Sequence, residues 1–338
     1  REPWTEASQA DYLIRRAEES LMRDWCAGMI VGVLADWEGQ IPSISGPLRG
    51  QSLIYTNGLV NKDRRPKLAY NRFKAFLASG DVEPLPPGNP ESSKGGLIVV
   101  VGIALLLLTF IAARQNNLFR FNLFRNFTSS RGFFQDIGDR RYFQTSQTIL
   151  LAMLQAGGFA LIGAAWLYSM RYNYRMDWLL GWILQDPDWI GWVGSLVWHP
   201  YRGLIFFWGF SFFLIWCAAF EIMLISVLLG RGSSLAQGLD FTTWTMSGYL
   251  FLIPLGLMAE KIFEANAGWV IAVILIGLTL WFMYRFIIVM TKYMRRGFGL
   301  VAVMLSAPPI ITAIVVVAQL EYSRDLSLYW GFITQLSK

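Results

Sequence analysis

Gly96-Leu-Ile-Val-Val-Val-Gly-Ile-Ala-Leu-Leu-Leu-Leu-Thr-Phe-Ile-Ala-Ala113 is an apolar run without a single charge. A helix rises 1.5 Å per residue, and about 20 mostly apolar residues span the hydrocarbon core of a bilayer. The run therefore predicts a transmembrane helix, and it divides the chain. Residues before it read as water-soluble. Residues after it alternate between apolar spans and short polar loops. Apolar residues make up 54% of the chain and charged residues 15%, against roughly 25% charged in soluble domains. The shortfall lies after residue 95. The expected fold is mainly α: a polytopic helical membrane bundle of six spans preceded by the truncated end of an α/β domain. The spans are read at 96–113, 146–169, 203–229, 243–260, 268–290 and 298–319.

Upstream, residues 6–24 place Ala10, Leu13, Ile14, Ala17 and Leu21 on one helical face. Asp11 and Arg15 are spaced to pair on the opposite face. Ala27–Ala35 is continuously apolar, which predicts a strand covered on both faces, as in a parallel sheet. Residues 40–62 read as loop. A second helix is expected from about Arg65 to Ser79, with Pro66 in its first turn and Ala69, Phe73, Phe76 and Leu77 buried. A single parallel strand has no partner, so this segment reads as the end of a larger domain. An opening at Arg1-Glu-Pro-Trp rather than Met gives the same expectation of sequence upstream. Residues 80–95, rich in Pro, Gly and Ser, read as an extended linker.

The string Gly58-Leu-Val-Asn-Lys-Asp-Arg-Arg-Pro-Lys67-Leu-Ala-Tyr70 resembles the closing segment of (β/α)8-barrel glycoside hydrolases, in particular the family of β-galactosidases and β-glucuronidases. Gly32-Val-Leu-Ala-Asp36-Trp37 resembles the eighth strand of those TIM barrels. The resemblance covers about residues 5–80. It implies hydrolysis of a carbohydrate substrate by two carboxylates flanking the glycosidic bond. In that family they sit on strands four and seven, which would lie before residue 1, so no catalytic residue is assigned within this chain. By position Trp37 and Asp36 would face the substrate, Trp37 stacking on a sugar ring and Asp36 accepting hydroxyl hydrogen bonds. The alternative is packing for Trp37 and a turn cap for Asp36. Glu38 reads as a loop charge.

The arginine-rich first loop, 114–145, and the loop at 291–297 predict a cytoplasmic side by the positive-inside rule. The soluble segment and the C-terminal tail then fall outside a plasma or inner membrane. In the first loop, Asn117-Leu-Phe-Arg120 recurs as Asn122-Leu-Phe-Arg125. That loop reads either as a segment lying among lipid headgroups, with the bilayer as partner, or as a solvated loop with incidental aromatics. Asn126-Phe-Thr128 matches a glycosylation acceptor that a cytoplasmic position would leave inert. Loop 170–202 carries Trp178, Trp182, Trp189, Trp192 and Trp198 and predicts one or two short helices flat on the membrane surface, or a groove for sugar or lipid.

Polar groups inside spans point to function. Glu221 is the one carboxylate well inside a span. It would handle protons or cations, bind a lipid headgroup, or pair with a group such as Arg285; Arg285 would otherwise snorkel. Pro254 and Pro308-Pro309 are expected to break or kink their helices. The five spans from about 140 to 320, with Ser247-Gly-Tyr-Leu-Phe-Leu-Ile-Pro254, resemble a Yip-type membrane domain, which implies a scaffold or trafficking module.

The resulting division is 1–80 barrel end, 81–95 linker, 96–113 first span, 114–145 basic-aromatic loop, 146–320 five-helix domain and 321–338 tail. Net charge is +6, spread through loops rather than gathered in a patch, which argues against nucleic acid as partner. No phosphate loop, metal-ligand cluster or nucleophile–His–acid set is present, and no cofactor is expected. Cys26 and Cys217 are not expected to meet. Three functions remain: a membrane-anchored glycoside hydrolase, a non-catalytic glycan-binding scaffold, and a small-solute transporter using Glu221.

Overall fold

The computed structural model describes residues 6–38, 54–80, 96–139, 145–172, 174–184, 186–230, 232–324 and 327. The chain is mainly helical and divides into two compact units. One comprises residues 1–94 with 170–198, the other residues 95–169 with 199–338.

In the first unit, helix α1 (Glu6–Leu21) packs on α2 (Leu68–Ser79). Ala10 and Ala69 are wholly buried where the two meet, joined by Leu59 with Leu13, Val31, Leu68 and Tyr70 around them. Small residues at the crossing let the helix axes come close. Asp11 and Arg15 form the expected i,i+4 pair at 3.5 Å. Leu21 and Leu77, expected in the core, are exposed. The second helix begins at Leu68 rather than Arg65, because Pro66 forms an antiparallel bridge with Val60 instead of entering the first turn.

Ala27–Ala35 is not a strand. Only Ala35 is bridged, in parallel, to Val60, and Ile30 is 95% exposed. A strand buried on both faces needs a neighbour along each edge and a layer above and below. Here the sole described neighbour is the short stretch at Val60. Past Asp36, β1 (Trp37–Glu38) pairs antiparallel with β2 (Ile54–Tyr55), Trp37 opposite Tyr55. The same unit contains α7 (Tyr174–Leu184) and α8 (Pro187–Trp198), the helical pair expected from the Trp-rich loop. The linker at 81–95 lies outside the described residues, which end before it at Gly80. That glycine ends α2 in the left-handed region at φ 70°, where its lack of Cβ removes the strain.

The second unit is a bundle of six helices long and apolar enough to cross a membrane. They are α3 (Gly96–Gln115), α6 (Thr145–Ser169), α9 (Pro200–Leu228), α10 with α11 (Leu235–Thr245 and Leu252–Glu264), α12 (Gly268–Met294) and α13 (Phe298–Arg324). Helix α6 is central: 72% of its apolar window is buried, against 11% for α13. It packs against α9, α11 and α3. Close packing rests on small residues, as expected where lipid removes the hydrophobic drive between helices. Gly238 of α10 lies so close to the Ala219 carbonyl of α9 that a Cβ there would collide with it.

The fourth span is broken by a 3-10 turn at Met246–Phe251, between α10 and α11. The break sits just before Pro254, whose missing N–H cannot bond the Leu250 carbonyl. Pro308 and Pro309 do not break α13, which runs unbroken from Phe298 to Arg324. Thr312 returns a hydroxyl hydrogen bond to the Pro308 carbonyl at 2.9 Å.

Among its described residues the basic first loop is not irregular. It folds into α4 (Asn117–Thr128) and α5 (Ser130–Gly138), joined by an Arg125–Asp136 ion pair at 2.6 Å. Asn116 caps α4 by accepting from the Phe119 amide. Phe119, Phe133, Phe134 and Ile137 are buried with Trp244, Phe241, Phe286 and Met290 in the largest core cluster. The opposite face of α4 leaves Phe121 and Phe124 exposed beside Arg120. The loop is thus a helical hairpin inserted by one face, with its aromatic-basic face outward.

Candidate functional site

In the first unit, the residues singled out in the sequence meet at one knot. Lys67 Nζ donates to Asp36 Oδ1 at 2.6 Å and to the Thr56 carbonyl at 2.9 Å. The Gly58 amide donates to the same carboxylate oxygen at 2.9 Å. Both side chains are nearly sealed, Lys67 at 8% exposure and Asp36 at 5%. Gly58 lies directly on the backbone of Ala35 and Asp36, where a Cβ would overlap both. Gln9 of α1 donates to the carbonyls of Asn57 and Gly58. The Gly58 and Lys67 positions of the string therefore share one task. They clamp the turn between Asp36 and α2.

Asp36 Oδ1 is consumed by this clamp. Its observed work is to hold the Gly58 turn and the Lys67 ammonium. Trp37, next in sequence, is 47% exposed. The pair thus separates into a positioning carboxylate and an accessible aromatic.

In the membrane unit, the polar groups gather in the half of the bundle nearest α4 and α5. The Trp244 indole donates to Thr148 Oγ1 at 3.1 Å, and Thr148 donates to Asp240 at 2.5 Å. Gln155 donates to the Thr243 carbonyl at 2.9 Å. These bonds join α6 to α10. Asn126 of α4 lies at their edge, wholly buried. Its amide nitrogen donates to the Trp244 carbonyl at 2.8 Å and to Ser247 Oγ at 2.6 Å. Its side-chain and backbone oxygens both accept from the Arg285 guanidinium. That guanidinium also sits over the rings of Trp281, Phe134 and Phe127 at 5.2–5.6 Å.

This arrangement revises two expectations. Arg285 neither snorkels nor pairs with Glu221. Its charge is held by one amide and three aromatic faces, an amide–π cage in place of a carboxylate. Glu221 keeps one carboxylate oxygen buried without a hydrogen bond, and Ser226 Oγ on the same helix is likewise without one. Asn126 is a hub, not a glycan acceptor, since its amide is sealed. Sequence reading missed it because a charge-free Asn in a polar loop carries no periodic signal. The hint was its place in the Asn-Leu-Phe-Arg repeat, where Phe119, Asn122 and Asn126 share a face.

Among the described residues no three His, Cys, Asp or Glu side chains gather to hold a metal, and Cys26 and Cys217 are free. Six apolar helices, a buried polar network stitched across them and an outward apolar surface define a multi-pass helical membrane protein. Comparison with protein-family models, curated proteins and solved structures returned no match.

Proposed function

We propose that this chain anchors a glycoside hydrolase of the (β/α)8-barrel type to a plasma or inner membrane, with the sugar-directed part extracytoplasmic and the catalytic carboxylates on strands upstream. The observation that carries the reading is the clamp of Asp36, Gly58 and Lys67. It gives a structural reason for the residues of the barrel-end string, at the place where an eighth strand would hand over to an eighth helix. Ile30 and Leu34, apolar yet exposed, lie where the resemblance would place the eighth strand. Trp37 then lies at the sugar-facing end of that stave. The alternation of the six spans and the arginines of the first loop support an exterior position for the N-terminal unit and the C-terminal tail. The five later spans serve as a membrane scaffold of Yip type.

The test is hydrolysis of a panel of chromogenic glycosides by membranes carrying the natural full-length polypeptide. Turnover that disappears when two upstream strand-end glutamates become glutamine supports the hydrolase. Sugar binding without turnover selects the glycan-binding scaffold instead. Topology is read separately through Cys26, which lies in the N-terminal unit. An impermeant maleimide reaching it on intact cells supports the exterior placement, and labelling only after permeabilisation overturns it.

A second reading rests on one atom. The orphaned Glu221 oxygen supports a small-solute transporter, although the polar groups that converge in the bundle are bonded to one another. Solute flux into vesicles that vanishes with Glu221→Gln would select it.

A further inference from the structure

The inserted hairpin creates a cavity with no part in the reading above. It holds about 300 Å³ between α5 and the last two turns of α12, at the small end of ligand-pocket volumes. Its floor is apolar: Phe134, Ile288 and Val289. Its rim is basic: Arg131 from α5, with Lys292 and Arg295 from the end of α12. All three cations are exposed, and none forms an ion pair with a carboxylate among the described residues. One carboxylate, Asp139, also lines the cavity, so the charges there sum to +2.

Two features shape it. Arg295 terminates α12 in the left-handed region at φ 50°, which reverses the chain at the rim. Gly138 packs on Tyr293, where a Cβ would lie 3.1 Å from the ring, so this wall tolerates no larger residue without movement. From Ile288 to Arg295 the helix climbs roughly 10 Å. That is close to the depth over which a bilayer passes from acyl chain to phosphate. Apolar floor and cationic rim thus follow the polarity of a lipid, chain first and headgroup last. Basic pockets between membrane helices bind phosphate-bearing headgroups.

We propose that this cavity is a binding site for an anionic phospholipid, the phosphate held by Arg131, Lys292 and Arg295 and the upper acyl chain lying on Phe134, Ile288 and Val289. The lipid would brace the hairpin of α4 and α5 against α12. This reading is independent of the hydrolase proposal.

The experiment uses the full chain purified in detergent and offered phosphatidylglycerol and phosphatidylcholine together, with bound lipid counted by native mass spectrometry. The expected result is retention of phosphatidylglycerol in preference, weakening as salt is raised. In the Arg131→Gln, Lys292→Gln, Arg295→Gln variant that preference falls on the order of 10- to 100-fold, in line with the contribution of each cation near an anionic headgroup. The control variant Lys261→Gln, remote from the cavity at the other end of the bundle, keeps it. Equal retention of the two lipids by the unmodified protein overturns the proposal, whatever the variants do. So does an unchanged preference in a triple variant that still elutes as a single species. Glycerol 3-phosphate supplies the remaining arm. Displacement of the lipid at equal concentration would assign the site to a soluble phosphate and reject the lipid.

Discussion

The two units bury charge in opposite ways. In the N-terminal unit Lys67 meets Asp36, a full ion pair closed over by a turn. In the membrane unit Arg285 meets no carboxylate and is neutralised in small increments by the Asn126 amide and three rings. Outside, the contrast continues. Hydrophobic side chains such as Phe213, Ile276 and Ile314 face outward from the bundle, where lipid is the solvent. On the N-terminal unit Met22, Trp25 and Ile30 are even more exposed, and in water such surface is costly. Under the proposed barrel reading, the same exposure is a lipid-facing surface in one unit and an uncovered one in the other.

The largest expected effect is at the amide hub. Asn126→Leu removes the side-chain oxygen contact to a buried cation, leaving the backbone carbonyl, and removes two donor bonds to the fourth span. It is expected to destabilise the membrane unit by roughly 4 kcal/mol, from one charge-assisted and two neutral hydrogen bonds lost inside the bundle. Thermal unfolding in detergent measures it, and Arg285→Met added to Asn126→Leu is expected to restore part of the loss. If the double variant is no better than the single, the cage is not what Asn126 serves.

Next comes the ion pair. Lys67→Met strands Asp36 in a site that water hardly enters and is expected to cost about 3 kcal/mol. Limited proteolysis between α1 and α2 reports it. Asp36→Asn combined with Lys67→Met is expected to recover most of that. A loss confined to glycan binding, with proteolysis unchanged, would instead make Asp36 a ligand contact.

A smaller effect is expected at Thr148→Val, about 1–2 kcal/mol, since the Trp244 indole and Asp240 each lose a bond inside the bundle. The smallest is at Ile30→Ser. For a side chain this exposed, the change is expected to stay within about 0.5 kcal/mol. The same substitution in the natural full-length polypeptide separates the two kinds of surface most sharply. A cost of roughly 2 kcal/mol or more there means that the stave is covered by a barrel.

Much of this was readable in advance, and the failures have a common cause. All six spans appear close to where uninterrupted apolarity placed them, because a bilayer demands about 20 apolar residues however the helices later pack. The Asp11–Arg15 pair and the interruption near Pro254 were also legible, since both depend on neighbours within a turn or two. Ala27–Ala35 was misjudged because a strand exists only through its partners. Leu21 and Leu77 were misjudged because apolar spacing marks a face without supplying the surface that covers it. Pro308-Pro309 proved compatible with a continuous helix.

Sequence alone determined the number of spans and the positions of the basic loops, both set by local hydropathy and charge. Tertiary structure alone decided that Asn126 rather than Glu221 receives Arg285, that the first loop inserts as a helical hairpin, and that Asp36 closes on Lys67. Those outcomes join residues 159, 118 and 31 positions apart. Which polar group finds which partner over such separations depends on how the helices pack, and helical periodicity does not encode it.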